Sequence, residues 1–147
     1  MFQFRLQSLL QHRKYLEDNC QKSLARVQSE LKSETRSLNA LYSRKTVQQQ
    51  KLQQIQATVH TAAQIQPHQA YLNCLDRDID QLRQRIGKLK ENVAGEHRKL
   101  MEAVKSRKLL ERLKETERSR YHRKRLKKEQ DMMNEVATHR YIRNQSN

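Results

Sequence analysis

The sequence predicts an all-α protein in which two long helices form an antiparallel coiled-coil hairpin. Two observations predict this fold. Apolar residues recur at alternating spacings of three and four along both halves of the chain, and the 147 residues include only one Pro and two Gly. Heptad spacing of this kind buries a single seam between helices. At 35% hydrophobic residues, the chain has enough apolar surface for such a seam but not for a layered core.

Two apolar stripes define the predicted helices. The first runs from Cys20 to Ala62 and the second from Leu72 to Leu110, and in both stripes most heptad positions are apolar. Low hydropathy and high charge are typical of disordered chains. Periodicity that is sustained over several heptads in each half favours coiled-coil helices instead.

Pro67, the only proline, lies between the two stripes. Proline lacks an amide hydrogen and disfavours helical geometry in the preceding residue, so it predicts a break in the helix. The prediction is a single coiled-coil domain over residues 1–147, with helix 1 over about 3–65, a turn near 66–68, helix 2 over about 68–141 and a frayed tail over 142–147. A single kinked helix that dimerises is the alternative.

A turn centred on Pro67 also determines which residues face each other. It would place Leu24 opposite Leu110, so that the two stripes overlap along most of their length. Because the second arm is longer than the first, residues from about Asn134 onward would extend past the N-terminus.

The charge of the chain predicts an anionic partner. Lys and Arg number 31 against 16 Asp and Glu, which gives a formal net charge of +15. Basic residues are densest from Arg112 to Lys128, where the apolar stripe thins, so we expect this end to be an interaction surface and the less stable end of the hairpin. A merely solvated face and a nucleic-acid site are the alternatives. Tyr121 is the only aromatic residue in the run, which argues against base stacking.

No catalytic or cofactor site is predicted. The sequence contains no phosphate-binding loop, dinucleotide fingerprint, zinc-protease motif or serine-hydrolase motif. The six histidines are dispersed, and Cys20 and Cys74 form no CxxC pair, so we expect no metal, no cofactor and no small-molecule substrate. The two unpaired cysteines favour a reduced cytoplasmic setting. Neither a signal peptide nor a membrane span is predicted.

The two ends of the chain resemble the FliJ family of flagellar export proteins. The motif FRLQSLL at residues 4–10, followed by Arg13, Lys14 and Glu17, resembles the family's N-terminal signature. The second arm agrees in order and distance over residues 107–115, at Tyr121 and over residues 129–137. Asp131 and Asn134 depart from the residues usual in the family.

The resemblance implies a function. Members of the family are similar to the antiparallel coiled coil of the rotary ATPase gamma subunit, and serve as a non-catalytic stalk of the flagellar type III export apparatus. The implied partners are the hexameric export ATPase, the membrane export gate and export chaperones. The implied location is the cytoplasm, at the cytoplasmic face of the cell membrane, with membrane association through these partners. A basic coiled-coil nucleic-acid binder or scaffold, and the equivalent stalk of a virulence secretion system, are the alternatives.

The resemblance also implies partner-binding residues in both arms. They are Phe4, Arg5, Leu6, Leu9, Leu10, Arg13, Arg107, Leu110, Glu111, Leu113, Lys114, Tyr121, Glu129, Gln130 and Glu135. The strongest interface candidates are Arg5, Arg13, Lys114 and Gln130, because polar groups at the end of a coiled coil contribute little to folding. Helix packing is the competing role, and the favoured one, for Leu6, Leu10, Leu110 and Leu113.

Overall fold

Two long helices make up nearly all of the protein. The computed structural model describes residues 1–58 and 61–145, in which α1 spans Gln7–Thr58 and α2 spans Ala62–Gln145. No strand occurs in these two ranges. Contacts such as Met1 with Tyr121 and Lys45 with Asp76 show that the helices are antiparallel. The predicted all-α helical hairpin is confirmed.

The turn lies earlier in the chain than predicted. The first helix ends at Thr58 and the second begins at Ala62, so Pro67 lies inside α2 instead of in a turn near 66–68. The first helix also starts at Gln7 and the second continues to Gln145, which corrects the predicted bounds of 3–65 and 68–141. Val59, which the first stripe included, lies outside the described residues, as do the last two residues of the tail.

Hydrogen bonds between Thr61 and Gln64 mark the start of α2, before the proline. The Thr61 hydroxyl donates a hydrogen bond of 2.6 Å to Gln64 Oε1, and the Gln64 amide donates one of 3.1 Å to the Thr61 carbonyl. The pattern Thr-x-x-Gln is typical of a helix N-terminus. Pro67 removes the amide that would bond to the carbonyl of Ala63. Both residues are exposed, so water can hydrate that carbonyl at little cost.

The chain divides into two compact units, whereas the prediction treated it as one domain. The terminal unit comprises residues 1–17 and 102–147, and the middle unit comprises residues 18–101. Each unit contains a segment of both helices.

The middle unit contains most of the apolar seam. Its buried side chains lie at the predicted stripe positions Leu24 and Leu52 of α1, and Leu72, Leu75, Ile79, Leu82, Ile86 and Leu89 of α2. In α1 the stripe is interrupted by Glu34, Lys45 and Gln48, which are half-buried. These polar residues have partners on α2. Lys45 Nζ lies 2.6 Å from Asp76 Oδ1, Gln48 bonds to His68 at 2.6 Å, and Glu34 lies 3.7 Å from Arg85.

The observed register differs from the predicted one. Ser23 donates a hydrogen bond to Glu96, so its neighbour Leu24 lies near Glu96 and not opposite Leu110. A hydrogen bond from Lys99, and after it the bond from Ser23, lowers the pKa of the Glu96 carboxyl. The register follows from the turn, because an earlier turn pairs each residue of α1 with an earlier residue of α2.

In the terminal unit the seam becomes polar. Phe4 and Leu10 are buried, but the next seam contact is between Glu17, only 8% exposed, and Arg107. Arg107 also lies 2.6 Å from Glu111, which Lys14 approaches at 3.8 Å. The bond to Glu17, and after it the bond to Glu111, raises the pKa of the Arg107 guanidinium.

The first two residues of the chain lie beside Tyr121. The Met1 ammonium lies 3.4 Å from the Tyr121 hydroxyl, and the rings of Phe2 and Tyr121 are 5.8 Å apart. The described side chains of residues 122–144 are all exposed. This C-terminal extension, residues 122–144, therefore begins about one dozen residues earlier than the predicted Asn134, as the earlier turn requires.

Spin labels will distinguish the two registers. In a variant with Cys20 and Cys74 replaced by Ala, labels at Asn39→Cys and Asp80→Cys are expected to lie close together across the seam. Labels at Asn39→Cys and Ala94→Cys, which a turn at Pro67 would bring together, are expected to lie clearly further apart, since 14 residues of helix rise by about 21 Å. Electron-electron resonance in dilute protein measures both distances. A shorter distance for the second pair would contradict the observed register.

The Glu17–Arg107 pair is predicted to fix register at the expense of stability. Arg107→Met leaves Glu17 buried without its cation and is expected to lower the free energy of unfolding by about 1–3 kcal/mol in urea denaturation. The control Arg112→Met removes an exposed arginine and should change the free energy of unfolding by less than about 0.5 kcal/mol. The double variant Glu17→Leu/Arg107→Leu should recover or exceed the original stability. Equal unfolding midpoints for the two single variants would contradict this role.

Candidate partner-binding surface

Several of the predicted site residues serve the hairpin itself. Phe4 and Leu10 are buried and Leu110 is half-buried, so these three pack between the helices. Arg107 and Glu111 belong to the ion-pair network around Glu17. Lys114 Nζ donates a hydrogen bond of 2.9 Å to Gln7 Oε1, across the two helices.

A second group of predicted residues faces solvent in the terminal unit. Leu6, Leu9 and Leu113 are 37%, 39% and 40% exposed, and Arg5 is exposed. The sequence favoured helix packing for Leu6 and Leu113, but both leave large apolar surface uncovered. Arg13 is half-buried at a seam position, and no described acid forms an ion pair with it.

The exposed leucines lie on one side of the seam. Lys14 and Glu111 each follow a seam residue by one position, and they meet on one side of the hairpin. Residues that precede a seam residue by one position lie on the other side, because both helices are right-handed and antiparallel. Leu9 precedes Leu10 in this way. On α2, Leu109 precedes Leu110 and Leu113 precedes Lys114, so both lie on the same side as Leu9. Leu109 is 66% exposed.

We call Leu6, Leu9, Leu109 and Leu113 the leucine face. Leu6 immediately precedes α1, and the hydrogen bond from the Leu10 amide to its carbonyl places it about one turn before Leu9. Arg13 lies four residues after Leu9 on α1 and Arg5 is exposed beside Leu6, so cations flank the apolar surface. Soluble proteins seldom expose contiguous apolar surface without a partner, and the basic rim favours an acidic one.

The remaining predicted residues are distant from this face in sequence and lie near or on the C-terminal extension. Tyr121 contacts the N-terminus, as described above. Glu129 accepts a hydrogen bond of 2.9 Å from Arg125, and Gln130 and Glu135 are exposed. The structure therefore does not assemble all the predicted residues into one site.

The family model described as Flagellar FliJ protein matches residues 2–146. The chain belongs to the FliJ family. No curated protein and no solved structure matches it significantly. Membership supports a general role in flagellar protein export, in a family of non-catalytic components of that apparatus.

The described part of this FliJ-family chain contains no sign of a metal site or membrane span. No cluster of His, Cys, Asp or Glu within it has the arrangement of metal ligands. Neither α1 nor α2, as far as each is described, has a stretch apolar enough to cross a bilayer. Cys20 is half-buried at its stripe position, whereas Cys74 is exposed.

Sequence reasoning missed Leu109 as a surface residue. The signal was present in the consecutive pair Leu109 and Leu110, because a heptad seam accepts only one of two adjacent leucines. The stripe already included Leu110, so Leu109 had to lie outside it. Recognising the face as a whole also needed the register, which brings α1 residues near position 9 to α2 residues near position 113.

Substitutions of the buried and the exposed leucines are predicted to differ in how much they change stability. Replacing Leu10, which is only 2% exposed, by Ala should lower the free energy of unfolding by roughly 2–4 kcal/mol. Leu109→Gln/Leu113→Gln should change it by less than about 1 kcal/mol, because these side chains already contact water. Circular dichroism during urea denaturation measures both. A large loss in the double variant would show that the leucine face is covered within the isolated protein.

Proposed function

We propose that this chain is a non-catalytic stalk of the flagellar type III export apparatus, whose terminal unit engages the ring of the hexameric export ATPase. Family membership gives the export apparatus as the setting. The observation that supports this particular role is the leucine face, an exposed apolar surface at the paired end of the hairpin.

The chemistry of the terminal unit suits a protein partner that presents acidic and apolar groups. Four leucines supply apolar surface, which accounts for most of the affinity of protein interfaces. Arg5 and Arg13 supply charge at its edge, where complementary pairs chiefly set orientation and association rate. A chain of net charge +15 is also drawn towards an acidic ring before contact is made.

The wider set of partners rests on the family. We propose that the chain also contacts the membrane export gate and export chaperones, and that it works in the cytoplasm beside the cell membrane during flagellum assembly. The match to a flagellar family model favours this setting over the equivalent stalk of a virulence secretion system.

Stimulation of the cognate flagellar export ATPase tests the stalk. At concentrations where the ATPase assembles as a hexamer, the protein is expected to raise its rate of ATP hydrolysis. Leu9→Gln/Leu109→Gln/Leu113→Gln should raise the half-maximal concentration by about tenfold or more, the effect of losing a central interface contact. Arg5→Glu/Arg13→Glu should weaken stimulation most at low salt, because exposed charges are screened by ions.

Matched variants in the middle unit serve as controls. Arg36→Glu/Arg44→Glu makes the same change of charge at two exposed positions, and Tyr42→Gln/Val47→Gln removes exposed apolar surface. Both should stimulate the ATPase like the original protein. If the protein does not stimulate the assembled ATPase hexamer, or if the leucine variant stimulates it fully, the proposal is refuted. Nucleic-acid binding would then be the favoured alternative.

A further inference from the structure

The C-terminal extension is a helix without a facing helix. The N-terminus ends beside Tyr121, and every described side chain from there to Asn144 is exposed. None of the side chains of residues 122–140 is buried, so tertiary packing adds nothing to the stability of this part of the helix. Its sequence must therefore be explained by something other than packing within the hairpin.

The first part of the extension is strongly basic. Five cations lie within residues 123–128, and Arg125 is the only one of them with an ion-pair partner, Glu129, among the described residues. Unpaired cations at this density repel one another, so an anionic surface that neutralises them would stabilise the helix.

The second part is amphipathic. Met132, Met133 and Val136 are 67%, 73% and 48% exposed, and together with Ala137 and Arg140 they line one shallow groove on the helix surface. Leu126, 64% exposed, lies seven residues before Met133 and therefore on nearly the same side. Asp131 and Glu135, each two residues from Met133, are turned away from it by about 200°. Glu129, four residues before Met133, lies on the same side but is paired with Arg125.

We propose that the C-terminal extension binds directly to an anionic lipid surface, as an amphipathic helix lying in the headgroup region. Clusters of four to eight Lys or Arg on an amphipathic helix are typical of segments that bind acidic phospholipids. The basic part would meet the headgroups, and Leu126, Met133 and Val136 would enter the boundary of the acyl chains.

The combination of charge and apolar surface favours lipid over other anions. Nucleic acid would neutralise the cations but would leave the methionines and Val136 in water, and residues 123–128 contain no aromatic ring to stack on bases. This proposal does not depend on the stalk function, because it concerns residues outside the leucine face and a ligand that can be tested without the ATPase.

Vesicle flotation of the full-length protein tests the proposal. Binding is expected to vesicles of phosphatidylcholine containing about one-third phosphatidylglycerol, and not to vesicles of phosphatidylcholine alone. Lys124→Gln/Lys127→Gln/Lys128→Gln should weaken binding roughly 100-fold. Met133→Gln/Val136→Gln, which leaves the charge unchanged, should weaken it about 10-fold. The charge control Lys32→Gln/Arg36→Gln/Lys51→Gln, at exposed positions of the middle unit, should bind like the original protein.

Fluorescence gives a second readout, because the chain contains no Trp. A single tryptophan introduced by Met133→Trp should shift its emission to shorter wavelength on anionic vesicles, whereas one introduced by Asp131→Trp should not. Equal shifts at the two positions, or binding unaffected by Met133→Gln/Val136→Gln, would show a general polyanion site and overturn the proposal. Failure of the original protein to bind anionic vesicles at low salt would overturn it as well.

Discussion

The structure depends on a single apolar seam between α1 and α2. A two-helix protein has no second layer, so the burial of this one stripe must offset the ordering of both helices. Within the described residues, all the buried apolar side chains except Phe4 and Leu10 belong to the middle unit. The seam is thus densest near the turn and sparse at the terminal unit. That distribution explains how one fold can combine a stable hairpin with a terminal end left free to meet partners.

The polar positions in the seam act on register more than on stability. An uninterrupted leucine stripe would tolerate a slip by a heptad, because each leucine would meet another leucine. Glu17 with Arg107, and Lys45 with Asp76, cannot be matched in a slipped arrangement without leaving a charge unpaired. A charge left without its partner in a partly buried seam costs free energy. The observed register is therefore selected by exclusion of the alternatives, much as a buried polar residue selects register in other coiled coils.

The sequence predicted the helices and the residues that line the seam well, but predicted the turn and the register poorly. Periodicity is a local property that repeats many times, so each stripe residue from Leu24 to Ile55 could be placed correctly. The turn depends on local hydrogen bonds, because those between Thr61 and Gln64 mark the start of α2 and Pro67 is accommodated inside the helix. The leucine face needed both helices in register, so an error in the turn concealed it. Residues such as Phe4 and Arg5, adjacent in a motif, separate into core and surface only in three dimensions.

The position of the turn also determines how much of α2 is left uncovered. In an antiparallel hairpin, moving the turn towards the N-terminus shortens the first arm and lengthens the second by the same amount. Each residue of movement therefore adds two residues to the overhang. A turn at Pro67 would uncover the chain only from about Asn134, whereas the observed turn uncovers it from His122. The added segment contains the basic residues 123–128 and the exposed Met132 and Met133. Because α2 begins at Ala62, before Pro67, this basic and amphipathic segment is left free to bind a partner.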